Sequence, residues 1–209
     1  MKKYFDITPE ISPDLAVFEG DVPYSRDVSF DMQKGQHMTL SSIRTTLHLG
    51  AHADGPNHYS ANGVSIGERD LSIYRGRAQV VHIGVSPREL VRPEHFKNIK
   101  VSAERILIAT GTYPDPNQWR DDFAAFSPEL IEWLATKHKV ILVGIDTPSV
   151  DLSDSKTLDT HKVIAKHDIA ILEGLVLKNV PGGVYELIAL PLRLRDAEAS
   201  PVRAVLYQI

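Results

Sequence analysis

The chain reads as an α/β protein: one domain over residues 1–209, with a mixed sheet and few helices. Three observations predict this. Short, continuous apolar runs recur at Arg105–Gly111, Lys139–Asp146 and Ile169–Leu177, the pattern of strands buried on both faces. Helical signals stand between these runs rather than in a separate block. No repeat, low-complexity tract or linker divides the 209 residues, a length that supports one sizeable core.

In order, Asp6-Ile7-Thr8-Pro9 and Ile11-Ser12-Pro13-Asp14 predict an extended, turn-rich start. Val17–Tyr24 follows and is more apolar than most loops; Phe18, Pro23 and Tyr24 either anchor the N-terminal region or wall a pocket for an aromatic ligand. Met38–Leu47, rich in Thr, Ile and Leu, predicts a strand. Tyr59–Leu71 is a polar loop, and Gln79–Val85 a clear strand in which His82 is an ordinary member. Ser86-Pro87-Arg88-Glu89-Leu90 has the form of a helix start.

Gly111–Pro116 predicts a tight loop at the end of the first buried strand. Ser127-Pro128-Glu129 opens the best helix, with Ser127 as cap, Pro128 in the first turn and Leu130, Ile131, Trp133 and Leu134 on one face. Lys137, His138 and Lys139 suit its C-terminal end. Asp146, at a strand end before Thr147–Asp151, either touches a metal or holds a loop. Thr160–His167 predicts a short helix capped by Thr160. Glu173 interrupts an apolar strand, and a buried carboxylate needs a compensating partner, such as a metal. Pro181-Gly182-Gly183 is a turn, and Glu186–Leu192 and Val202–Leu206 are closing strands.

The formal charge of −4 gives no reason to expect nucleic acid, and no apolar run reaches the roughly 18 residues of a membrane span. The start, Met1-Lys2-Lys3-Tyr4-Phe5-Asp6, has no apolar signal core, so a cytoplasmic setting is expected. Cysteine is absent, which excludes disulfides, thiolate metal sites and a Cys nucleophile. No Gly-x-Ser-x-Gly, Walker A or dinucleotide pattern is present.

The chemistry concentrates in His48-Leu49-Gly50-Ala51-His52-Ala53-Asp54-Gly55-Pro56-Asn57-His58. Gly50, Gly55 and Pro56 argue against a helix. A straight strand would set His48 and His52 about 13 Å apart, too far to share an ion. The segment is therefore expected to be a bent loop after the Met38–Leu47 strand, gathering His48, His52 and Asp54 around a cation. Imidazole and carboxylate without thiolate suit zinc first, then manganese or iron. His58, beyond Pro56, reads as a proton carrier. A helix followed by a returning strand can bring His161 and Glu173 together as a second pair of ligands. Five ligands exceed one four-coordinate zinc with an open position and suit two metals sharing carboxylates. Such a pair orients water and polarises a carbonyl; zinc-bound water reaches a pKa of about 7, so hydroxide is available to hydrolyse an amide or ester.

The pattern His48-x-Gly50-x-His52-x-Asp54-x-Pro56-x-His58 resembles the metal motif of the cyclase-like metal hydrolases. Glu19-Gly20-Asp21, Gly111–Pro116, Gly144–Ser149, Ile171–Leu175, Leu187–Leu192 and Ser200–Ala204 extend the resemblance over nearly the whole chain and point to the formamidase branch, the bacterial kynurenine formamidases (arylformamidases). The resemblance implies hydrolysis of N-formyl-L-kynurenine, an aryl formamide, to L-kynurenine and formate in tryptophan degradation. It also implies a swivelling β/β/α-type fold, a homodimer and two zinc ions per subunit. Carried over by position, His48, His52 and Asp54 hold one zinc, with Asp54 bridging; His161 holds the second, and Glu173 touches both. His58 becomes proton donor and acceptor beside metal-bound hydroxide. Phe18 contacts substrate where Trp is common in the family, and Ala51 stands where the wider group often has Thr. Two rivals are a cyclic-amide hydrolase of the isatin hydrolase kind, with manganese as the alternative metal, and a non-catalytic metal-binding module.

Overall fold

Ser127 starts the longest helix: its Oγ accepts from the Leu130 N–H at 3.2 Å, and Lys139, with a left-handed φ of 54°, ends it. This is one of two α-helices in the computed structural model, which describes residues 4–209. The elements run β1 (Tyr4–Asp6), β2 (Ser25–Phe30), β3 (Leu40–Arg44), β4 (His52–Asp54), β5 (Arg75–His82), β6 (Leu90–Val91), β7 (Arg105–Ala109) and β8 (Ala125–Phe126). They continue α1 (Pro128–His138), β9 (Leu142–Ile145), α2 (Asp159–Lys166), β10 (Ala170–Glu173), β11 (Gly183–Ile188), β12 (Ala199–Pro201) and β13 (Val205–Gln208).

Nine strands form one mixed sheet in the order β1-β13-β11-β5-β7-β9-β10-β4-β12. Its centre, β5-β7-β9-β10, is parallel. α1 carries the chain from β7 toward β9, and α2 from β9 to β10, the connections that parallel pairing demands. The apolar runs split between two layers as alternating side chains must. Ile106 and Ile108 join α1 residues Leu130, Ile131 and Leu134 and α2 residue Ile164 in one core. Leu107 and Ala109 face the other core with Ala53, Tyr74 and Leu172. The α/β class, the mixed sheet and the scarcity of helix are as expected.

Several local expectations fail. Residues 86–90 form no helix: Pro87 and Arg88 make a turn, with Arg88 at φ 61°, before β6. The Ser86 N–H donates to the Glu89 carboxylate at 2.8 Å, so the start signal closes a turn instead. Thr160 lies inside α2, not at its cap. Asp151 takes that role from outside the helix, accepting from the N–H groups of Thr160 and His161, each at 3.1 Å. The Met38–Leu47 strand shortens to β3 and pairs only with β2, in a separate two-stranded sheet whose residues are all exposed. Of Val202–Leu206 only Val205 and Leu206 are strand, at the start of β13.

Candidate metal centre

The ligand segment is not one bent loop. Gly50, at φ 55°, bends the chain after His48, and the chain then enters the sheet as β4. β4 is paired on both edges, His52 opposite Glu173 of β10 and Pro201 of β12. Two filled edges explain why so short a segment becomes a strand despite its glycines. The alternation of a strand aims His52 and Asp54 to one side. The bend brings the His48 and His52 rings to 5.0 Å between centroids.

His48, His52, Asp54, His161, Glu173 and His58 all converge here. His52 Nε2 lies 3.1 Å from Glu173 Oε2 and 3.6 Å from Asp54 Oδ1. His48 Nδ1 is 3.2 Å from Asp54 Oδ1. His161 Nε2 is 3.5 Å from Asp54 Oδ2 and 3.8 Å from Glu173 Oε1. His58 stands in a short 3-10 turn after Gly55, its ring 4.4 Å from His48 and 6.0 Å from His161. Possible donor atoms form two groups, His48-Asp54-His58 and His52-Asp54-Glu173, each within 4.8 Å. Asp54 is common to both. His48 Nδ1 and His52 Nε2 both face Asp54 Oδ1, and His161 Nε2 faces Asp54 Oδ2.

These residues fit metal ions. Both oxygens of buried Asp54, His48 Nε2 and His161 Nε2 have no hydrogen-bond partner, a costly state for buried polar atoms that a cation would relieve. The other nitrogens of two imidazoles are occupied. His52 Nδ1 donates to the Gly50 carbonyl at 2.8 Å, and His161 Nδ1 to Asp151 at 2.6 Å. Each leaves Nε2 facing the carboxylates, the support that metal-binding histidines commonly have. Glu173 is held by the Val150 N–H, which donates to its Oε1 at 2.7 Å.

Electrostatics tell the same story. Burial opposes charge on His52, but the hydrogen bond to Glu173 and the charges of Asp54 and Glu173 outweigh it and push its pKa to about 9. Burial likewise opposes charge on His161, yet Asp151 and Asp54 lift it to about 10. Burial works to raise Asp54, but the His161 and His48 contacts hold it well below the usual carboxylate range. The carboxylates thus demand positive charge, which protons on imidazole supply when no metal does. His58 differs: loss of solvent around its ring, with the nearby His48 charge adding to it, lowers its pKa.

A cavity of about 350 Å³ opens beside His48 and His52, lined by the carboxyl ends of the parallel strands and the loops that follow them. Phe18 lies in its wall, 4.5 Å from Trp119 and 6.4 Å from Phe123 between ring centroids. Phe18 thus both lines the cavity and packs on buried Phe123, whereas Pro23 and Tyr24 are not part of the lining. Asp146 also lines the cavity, but its Oδ1 accepts from Thr110 N–H and Oγ–H and its Oδ2 from Gly111 N–H, so it holds a loop. Sequence reasoning missed Asp151, which orients His161, and Trp119, which backs Phe18. The spacing of Asp151 before the helix signal at Thr160 was the only hint of the first; a lone Trp in a polar loop gave none of the second.

Comparison with known proteins accords with this geometry. The Cyclase family model ("Putative cyclase") matches residues 5–152. The kynurenine formamidases of Bordetella pertussis (strain Tohama I) and Bordetella petrii are 44% and 42% identical to the chain, each over the full length of both proteins. Among solved structures, a potential metal-dependent hydrolase with cyclase activity superposes with a TM-score of 0.85 at 22% identity, covering 100% of this chain and 99% of the other. An isatin hydrolase bound to the product analogue thioisatinate reaches 0.85 at 17% identity over 99% and 92% of the two chains. These two likenesses are of fold. A full-length match at such identity, on a fold that assembles the motif's imidazoles around shared carboxylates, places the chain in the cyclase family with the kynurenine formamidases, as a metal-dependent amidohydrolase.

Proposed function

We propose that the chain hydrolyses N-formyl-L-kynurenine to L-kynurenine and formate, using two zinc ions. The observation that carries the metal reading is Asp54: a buried carboxylate with both oxygens unpartnered, ringed by imidazoles. The substrate reading draws on relatives 42–44% identical over the full chain, which carry the name kynurenine formamidase. His48, His52 and Asp54 would hold one zinc and His161 the other, with Asp54 and Glu173 touching both. Zinc held by these residues would supply Lewis-acid polarisation of a carbonyl and a lowered pKa for water.

The chain's own residues do the rest. Phe18 and Trp119 offer aromatic faces to the aryl ring. His58, whose lowered pKa leaves it neutral at pH 7, takes a proton from the attacking water on a ring nitrogen. It returns the proton to the anilinic nitrogen as the formyl C–N bond breaks. The formyl carbon keeps the water's O–H and departs as formic acid, which loses that proton to solvent as formate. The Asp151–His161 bond keeps one imidazole aimed at the carboxylates throughout.

The assembly in this reading is a homodimer. It is supported by the β2–β3 hairpin, whose apolar side chains Val28, Phe30, Leu40 and Ile43 are exposed. Formate release from N-formylkynurenine, measured with metal content and beside isatin as a rival substrate, tests the function. Zinc-replete protein that opens isatin and leaves the formamide intact would reassign it.

A further inference from the structure

The cavity beside the metal donors has a second chemical feature, Lys178. Lys178 and Asn179 form the corner of a turn that follows β10, closed by the Val180 N–H donating to the Leu177 carbonyl at 3.1 Å. Leu177 and Val180 are buried on either side. His82 Nε2 donates to the Val180 carbonyl at 2.7 Å, and the Tyr185 hydroxyl to the next carbonyl, that of Pro181, at 2.8 Å. The backbone beneath Lys178 is thus pinned while its side chain is exposed. Among the described residues no carboxylate pairs with it. Asp146, the one acid in the cavity lining, is occupied by Thr110 and Gly111. Apart from the histidines, Lys178 is the only cationic side chain in that lining.

We infer that Lys178 receives the α-carboxylate of an amino-acid tail on the aryl formamide, and so sets a preference for tailed over tail-less substrates. The inference rests on the function proposed above. With the formamide at the metal donors and the ring against Phe18 and Trp119, the group still unaccommodated is an α-amino acid, which carries an anion. An unpaired ammonium carried on a pinned backbone, in a cavity whose one carboxylate is already engaged by Thr110 and Gly111, is the complementary charge. Its exposure means the contact is screened by salt and moderate in size.

Two substrates test this: N-formyl-L-kynurenine, and 2′-formamidoacetophenone, which keeps the ring, ketone and formamide but ends in a methyl group. In Lys178→Met the ratio of kcat/KM between them is expected to fall about fivefold, through KM of the tailed substrate. Lys178→Glu lowers the ratio further, and Lys178→Arg restores it to within about twofold. Metal-free protein binds L-kynurenine about fivefold more weakly in Lys178→Met, read by calorimetry. An unchanged ratio in both Lys178→Met and Lys178→Glu, with both substrates hydrolysed, overturns the role of Lys178 alone. Hydrolysis of neither substrate by the zinc-loaded wild type overturns the proposed function, and this inference with it.

Discussion

Strand β4 and the β2–β3 hairpin stand close together in the chain and differ in everything that stabilises a strand. β4 has three residues, all buried, with hydrogen-bonded partners on both edges. The hairpin is longer, and every residue in both its strands is exposed, Ile43 to 64%. A two-stranded ribbon is marginal in water on its own. The sheet therefore fixes the site from within the chain, whereas the hairpin leaves its apolar side chains exposed. Neighbours, and not length or propensity, decide how firmly a strand is held.

The largest effect expected from breaking this contrast is at β4. Asp54→Ala removes the carboxylate common to both donor groups, so the variant is expected to lose bound zinc and fall to background formate release. Elemental analysis showing full zinc occupancy would argue against a bridging Asp54. Next is His58→Ala, outside β4 in the following turn. It should retain zinc while turnover drops by about 10²–10⁴. Wild-type rates in this variant would remove His58 from proton transfer.

A third expectation concerns pH. The raised pKa values of His52 and His161 mean that their protonated forms stabilise the metal-free fold. That stability is complete below the unfolded value near 6.5 and is lost as pH rises through about 9 and about 10. For His52 alone the change is about 3 kcal/mol, and it draws on the same ion pairs that depress Asp54, so the two are not summed. Zinc reverses the sign near neutrality, because protons compete with metal for the imidazoles. Denaturant melts from pH 6 to 10, with and without zinc, should diverge; parallel curves would mean that metal and protons do not share these groups.

The smallest effect on folding belongs to the hairpin. Leu40→Ser with Ile43→Ser should alter the monomer's unfolding free energy by no more than about 0.5 kcal/mol per site. Light scattering should nevertheless show the mass falling from two chains to one. A wild type that is already monomeric would refute the homodimer and leave the hairpin's exposure unexplained.

The same contrast explains what the sequence could reveal. The buried strands β7, β9 and β10 announce themselves because burial on both faces imposes continuous apolar runs. The ligands are legible because few roles other than metal binding call for three imidazoles and a carboxylate within eleven residues, His48 to His58. β4 itself is hidden by Gly50, Gly55 and Pro56, and is a strand only because β10 and β12 flank it. The hairpin shows poor alternation because neither of its faces meets a core, and periodicity records burial. Asp151, Trp119 and Lys178 become meaningful only through contacts across the chain, which no local pattern encodes.

The pairing of β4 also governs when the site can exist. His52 and Glu173 are 121 residues apart, and the other edge of β4 waits for Ala199–Pro201. A nascent chain on the ribosome therefore carries the His48–His58 cluster for most of its synthesis without the residues that complete it. The full set of donors is assembled only after the last strands have emerged and docked.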